Sequence, residues 1–265
     1  MSDNIMEEVM DFMERYSENA EKGCLERWKL LPVKLYDSEI YEVIGGLLSR
    51  QVALSTNLAY SPNTWNGHIA PLVLRSMIDL VITLAWILKI PEERAPKYIM
   101  YGLGQEKLLL EHYKAKQEKS PNEQVEKMIQ AKTEWLQTQR QEWSIEVNVG
   151  NWTEGPTVRD MAIECNLEDL YKLAYTPFSS VTHNTWQHIS AYNLKTCTNP
   201  LHKFHKIPEI AQVPLDPDYV YRSAIYLDQA FDLVDKKYNL KAKTIAPLEF
   251  LETGFEEIFK DKPQE

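Results

Sequence analysis

The sequence predicts an all-α protein, a multi-helix bundle with a projecting charged helical hairpin, and three observations carry that expectation. Apolar residues recur at helical rather than alternating spacing along most of the chain. Glycine is scarce, 9 residues in 265, while long helix formers such as Leu, Glu, Lys, Gln and Met abound. No strand–helix–strand alternation appears, which argues against a doubly wound nucleotide-binding sheet. The chain is long enough to bury a sizeable core and reads as a single helical domain over 1–265.

The elements follow in order. Ile5, Met6, Val9, Met10 and Met13 predict a helix over 3–22. Asp37-Ser38 caps a second over 38–60, with Ile40, Val43, Ile44, Leu47 and Leu48 along one side. Gly45-Gly46 inside it is either a weak point or a close helix crossing. Ser61-Pro62-Asn63 breaks the chain before a strongly apolar helix over 68–89. Pro91 suits the first turn of a fourth helix over 91–118, with Tyr98, Tyr101, Leu108 and Tyr113 facing inward. Pro96, Gly102 and Gly104 are its points of kinking or splitting. Ser120-Pro121-Asn122-Glu123 is a restart signal, with Ser as N-cap, for a charged helix over 121–143 that pairs with the fourth as the hairpin.

Residues 144–156 read as a loop with room for a very short strand at 145–149. Thr157-Val158-Arg159-Asp160 resembles a capping box opening a short helix to Glu164. Residues 167–188 read as a long helix, interrupted or bent at Pro177. The Pro-containing stretch 195–216 reads as an extended connection, and helices over 217–237 and 247–260 close the fold.

The net charge of −10 and pI near 5.2 count against tight, sequence-independent DNA binding, although Lys195–Lys206 is a locally basic stretch. Cys24, Cys165 and Cys197 are odd in number and widely spaced, so no disulfide framework or cysteine zinc site is implied, and a reducing cytoplasm fits. The acidic, amphipathic N-terminus does not read as a signal peptide. Arg75 and Asp79 inside the apolar stretch 69–88 argue for a buried core helix rather than a membrane span. Neither a P-loop nor G-x-G-x-x-G, H-E-x-x-H or a nucleophile elbow occurs.

Two constellations could carry chemistry. Arg75 and Asp79 stand at i, i+4 on one face of an apolar helix, where unpaired charge is costly. They read either as an ion pair ordering helix packing or as an Arg held at a pocket to bind an anion. The second constellation is Tyr171, Tyr175, Ser179, His183, Asn184, Trp186 and His188. On one continuous helix Ser179, His183 and Trp186 would share a face. His183 and His188 are five apart, which suits a two-His metal pair poorly, so no metal site and no cofactor is expected. A Ser beside His183 invites a nucleophile–base reading, against ordinary helix-packing hydrogen bonds. Arg75 with His183 or His188 would supply an acid–base group and a transition-state cation, enough to cleave RNA without metal. His202 and His205 read as surface residues, and His68 has no partner that the sequence identifies.

LRSMIDLVITLAWILKIPEERAPKYIMYG (74–102) and TVRDMAIECNLEDLYKLAYTPFSSVTHNTWQH (157–188) together resemble a prokaryotic helical family known as a domain of unknown function, number 5677. The matches fall on Arg75, Asp79, Pro91, Glu92, Arg94, Tyr98, Arg159, Met161, Ala162, Leu170, Tyr171, Tyr175, Ser179 and His183, within a family-like core of about 69–190. The small residue usual soon after the His is replaced by Asn184-Thr185-Trp186. The resemblance implies an α-helical fold and no established activity. A looser likeness is to the HEPN superfamily of metal-independent ribonucleases, whose R-x4–6-H has no counterpart before His183; Arg75 would have to substitute from another helix.

These readings lead to an expected HEPN-like effector acting on RNA or a nucleotide in prokaryotic stress or phage defence. Arg75, His183, Asp79 and Ser179 are its candidate catalytic residues, and Tyr98, Tyr101, Tyr175, Trp186 and His188 its candidate binding residues. The alternative is a non-catalytic helical module for protein interaction or ligand sensing. RNA or a nucleotide, a protein partner or a second copy are the expected partners, with no membrane and no strong double-stranded DNA binding.

Overall fold

A computed structural model describes residues 3–139, 145–147, 150–210 and 213–259. Its elements are α1 (Asp3–Leu30), α2 (Ser38–Ala59), α3 (Ala70–Lys89), α4 (Pro91–Lys119), α5 (Glu123–Gln137), α6 (Val158–Glu164), α7 (Glu168–Leu170), a π-turn (Tyr171–Tyr175), α8 (Thr176–Thr182), α9 (Trp186–Tyr192), β1 (Leu194–Thr196), β2 (Lys206–Pro208), α10 (Asp218–Tyr238) and α11 (Pro247–Phe259). The chain is all-α apart from the antiparallel β1–β2 ladder, in register Leu194 with Pro208 and Thr196 with Lys206. It divides into two compact units: Met1–Pro32, Ile44–Lys89 and Val158–Glu265 form the first, Val33–Val43 and Ile90–Thr157 the second.

In the first unit α3 is the hub. Leu74, Met77, Ile78, Val81, Ile82, Leu84 and Ile87 are fully buried, because α10, α8 and α6 pack around the helix. By length and composition α3 could cross a bilayer, yet 67% of its apolar window is buried by protein, as a core helix requires. Gly45 lets α2 meet α1: a Cβ there would stand 2.8 Å from the Trp28 ring. Its neighbour Gly46 has open space, so one residue of the pair makes the crossing. The first helix outruns its expected end at 22 and reaches Leu30. Arg27 holds this extension, forking onto the Asp235 carboxylate at 2.8–3.1 Å and stacking over Phe231 at 4.0 Å.

A polar seam runs through this core. The Tyr16 hydroxyl meets Ser55 Oγ at 2.6 Å, Ser55 meets Ser223 at 3.0 Å, and Gln51 Nε2 donates to the Tyr226 carbonyl at 2.9 Å. Asp228 Oδ2 accepts from the Leu248 amide at 3.1 Å, while its buried Oδ1 has no partner among the described residues.

In the second unit α4 and α5 form the antiparallel hairpin, sealed by Leu103, Leu110, Leu136 and Ile145 with Ile99 and Ile129 against them. Lys107 donates to the Ile145 carbonyl at 2.6 Å, and Lys132 pairs with Glu106. The α4 helix runs unbroken through Pro96, Gly102 and Gly104. Pro96 lies in its second turn, where the missing N–H removes a single ladder bond. At the restart the cap is Asn122 rather than Ser120. Asn122 Oδ1 accepts from the Gln124 and Val125 amides at 2.8 and 3.2 Å, so α5 begins at Glu123. Residues 145–147 carry no strand; 148–149, and the 140–143 end of the expected charged helix, lie outside the described residues. The expected extended connection is instead the β1–β2 hairpin followed by an irregular stretch.

Burial pushes the Asp228 carboxyl up from 3.8 to about 6. The folded state therefore holds this proton more tightly than the unfolded chain, so the carboxyl costs no stability below its unfolded pKa. The cost grows as pH rises through roughly 4 to 6 and is complete above that window. Asp228→Asn is expected to gain on the wild type by roughly 1–2 kcal/mol between pH 4 and pH 7.5. Urea midpoints at the two pH values measure this; an unchanged difference would refute it.

Candidate functional site

The α3–α8 contact is built around one guanidinium. Arg75 Nε donates to Ser179 Oγ at 2.7 Å, its NH1 lies 3.1 Å from the Asp79 carboxylate, and its plane stacks 3.3 Å from the Tyr175 ring centroid. Ser179 in turn donates to the Tyr175 carbonyl at 2.8 Å, and Tyr171 stacks on Tyr175 at 4.8 Å. The Arg75 side chain is only 14% exposed, so these three groups replace its water. The expected i, i+4 pair is therefore real, and it is fastened to α8.

The chain reaches this geometry through the π-turn. Pro177 lacks an N–H and would collide with a carbonyl four residues back in a regular helix. The extra residue at Tyr171–Tyr175 widens the helix just before it, with the Thr176 amide and hydroxyl both meeting the Tyr171 carbonyl. The helical run from Glu168 to Thr182 is thus continuous but interrupted by π geometry just before Pro177, as expected there. The expected single helix over 167–188 does end early: α8 stops at Thr182, His183 caps it, and Asn184 turns left-handed at φ 50° before α9 begins. Ser179, His183 and Trp186 therefore do not share one continuous face. His183 is exposed, and the contacts of Arg75 go to Asp79, Ser179 and Tyr175, not to its imidazole.

One turn back from Arg75, toward the start of α3, lies a cleft. His68, Leu72, Val181, Thr182, Asn184, His188, Ile189 and Asn193 line this cleft of about 450 Å³, and none of them is acidic or carries Lys or Arg charge. His68 and His188 meet edge to face at 5.4 Å, and Tyr192 backs His188 at 4.8 Å. Gly67 makes this packing fit, because a Cβ there would stand 2.6 Å from the Tyr192 ring. Burial, helped by neighbouring His68, holds the His188 imidazole below its ordinary pKa, so the ring is neutral at pH 7.

The remaining candidates are scattered. Trp186 is 69% exposed in the first unit; Tyr98 packs edge-on against Trp152 at 5.1 Å in the second, with Tyr101 half-buried one turn on. Two groupings escape the sequence reading. His68 joins His188 only through folding, with no local signal, whereas Tyr192 stands at i+4 from His188 on α9. Cys197, His202 and His205 lie with their ligand-type atoms within 4.8 Å of one another, and here a signal exists, C-x4-H-x2-H.

Residues 41–199, more than half of the chain, match the family of unknown function DUF5677, and the chain belongs to that family. The match extends past the 69–190 core at both ends and takes in the Arg75 cluster and the His68–His188 cleft. Neither a curated protein nor a solved structure matches the chain.

If the guanidinium is a structural clamp, its variants rank by what they leave unpaired. Arg75→Ala is expected to cost about 2–3 kcal/mol, Ser179→Ala about 1, and Asp79→Asn less than about 1 because that carboxylate is partly hydrated. Denaturant titration of the three variants gives the order, and a neutral Arg75→Ala would break it.

Proposed function

We propose that this DUF5677 member is a non-catalytic, ligand-sensing helical module whose α3–α8–α9 cleft takes a small, uncharged, hydrogen-bonding ligand of nucleobase or planar amide type. The observation that carries this reading is the pairing of two imidazoles with an uncharged lining in a cleft of about 450 Å³, a volume within the usual range for small-molecule sites. The His68 and His188 ring nitrogens, the Asn184 and Asn193 amides and the Thr182 hydroxyl offer donors and acceptors, and Leu72, Val181 and Ile189 supply the apolar remainder.

The lining also speaks to reaction type. Cleaving a phosphodiester builds negative charge that needs a cation or oriented donors aimed at it. The Arg75 cation is engaged by Ser179, Asp79 and Tyr175, and none of these contacts goes to His183. A net charge of −10 adds an unfavourable field for RNA. These arrangements favour the sensing module over the ribonuclease.

The test is a thermal-shift panel of free nucleobases, nucleosides, nicotinamide-type amides and the matching nucleoside monophosphates. Neutral members are expected to raise the melting temperature more than their phosphates do. His188→Ala should abolish the shift, and the wild-type shift should weaken in acid as the His188 imidazole, held below its ordinary pKa by burial, takes a proton. No shift anywhere in the panel, or an equal shift in His188→Ala, would overturn the reading. Total RNA and tRNA incubated in EDTA should stay intact with wild type, Arg75→Ala and His183→Ala alike. Cleavage by wild type that either variant loses would instate the catalytic alternative.

A further inference from the structure

The loop joining β1 to β2 gathers a donor set that nothing in the Arg75 cluster or the cleft uses. Cys197 follows β1 directly and His205 precedes β2 directly. Extending the ladder register by one step places them opposite each other, and the Cys197 amide donates to the His205 carbonyl at 2.9 Å. Cross-strand partners of this kind project to the same face. His202 returns to that face through a tight turn: its amide bonds the Asn199 carbonyl at 3.0 Å, and Asn199 Oδ1 accepts from the Leu201 amide at 3.0 Å. Phe204 takes a left-handed backbone at φ 61°, so His205 folds back beside His202 with ring centroids 5.3 Å apart.

We infer that Cys197, His202 and His205 form a zinc-binding site with one thiolate, two imidazoles and a fourth position open to water or an incoming ligand. Tetrahedral zinc separates a bound sulfur from a bound nitrogen by about 3.6 Å and two nitrogens by about 3.4 Å. Cys197 Sγ already lies 3.7 Å from His202 Nδ1, and all three ligating atoms lie within 4.8 Å. Closing the set takes a shift of roughly 1 Å in exposed side chains. Sulfur with two imidazoles selects zinc over the hard, oxygen-seeking Mg²⁺ and Ca²⁺.

The loop has a physical use for such a link. Leu201 and Phe204 are 89% and 93% exposed, so no buried apolar side chain among them fixes its course. A bound ion would hold Cys197, His202 and His205 together in place of a core, the thiol giving its proton to solvent as the sulfur–zinc bond forms.

The experiment uses the full-length, reduced, chelator-stripped chain titrated with Co²⁺ as the spectroscopic probe and then with Zn²⁺. Expected are one Co²⁺ per chain, tetrahedral d–d bands, a near-ultraviolet thiolate-to-cobalt charge-transfer band, and displacement of both signals by Zn²⁺ but not by Mg²⁺. Cys197→Ser should lose the charge-transfer band, and His202→Ala or His205→Ala should bind at least about tenfold more weakly. Circular dichroism confirms that these loop variants keep the helical fold. Absence of stoichiometric uptake, or a charge-transfer band that survives Cys197→Ser, would overturn the site. The nucleobase panel does not involve these residues, so the two readings fail independently.

Discussion

A guanidinium on a helix that is apolar on nearly every side has to find partners within reach, and here that requirement organises the first unit. Arg75 projects from α3 beside the fully buried Leu74 and Ile78, with its own side chain only 14% exposed. Removing such a charge from water costs several kcal/mol unless hydrogen bonds and opposite charge replace the hydration. Asp79, one turn along, supplies the charge, but only α8 can supply the hydroxyl of Ser179 and the face of Tyr175. The cost of leaving Arg75 bare therefore becomes a force that seats α8 on α3 in a single register, because a one-residue slide would lose both contacts.

That register has consequences on either side. Toward the chain start of α8, Pro177 would disturb a regular helix, and the π-turn absorbs the disturbance while turning Tyr171 and Tyr175 into a stacked pair under the guanidinium. Toward the chain end, α8 stops at Thr182 and the left-handed Asn184 redirects the chain, so α9 returns His188 to the beginning of α3 and its neighbour His68. The cleft exists because the two helices are held together at Arg75 and diverge beyond it. Packing, helix irregularity and cleft are three outcomes of one contact.

Much of this was legible in the residues. Apolar periodicity, the Arg75–Asp79 spacing and the Tyr175, Ser179 and His183 run pointed to the helices and to most of the clamp. The i, i+4 rule names the partner on the same helix, however, and is silent about α8. Helix ends were less legible: the tertiary contact of Arg27 with Asp235 carries the first helix past its expected end at 22, and Ser120 lost the cap to Asn122, whose Oδ1 accepts from two amides. The pairing of His68 with His188 had no local trace, since both histidines look unremarkable in their own segments. Cys197, His202 and His205 show the opposite case. Their spacing was present, but an extended connection offers no reason for three side chains to converge, and only the β1–β2 register brings Cys197 and His205 face to face.

The distribution of charge separates the polar sites by what each can hold. Around Arg75 a hydroxyl, a carboxylate and a ring face from the protein itself engage the guanidinium, which makes the cluster suited to fixing geometry. The cleft has no Asp, Glu, Lys or Arg in its lining, so a bound molecule would be recognised mainly by hydrogen-bond direction and shape, with little sensitivity to salt. At the hairpin loop the donors are soft and exposed, suited to a cation that carries its own charge and needs no buried counter-ion. A phosphate-processing enzyme would invert this order, spending its free cation where the substrate enters and leaving neutral groups to the scaffold. In this chain the cation is spent on the scaffold and the cleft carries no Asp, Glu, Lys or Arg side chain, which is why the ligand proposed for it is an uncharged one.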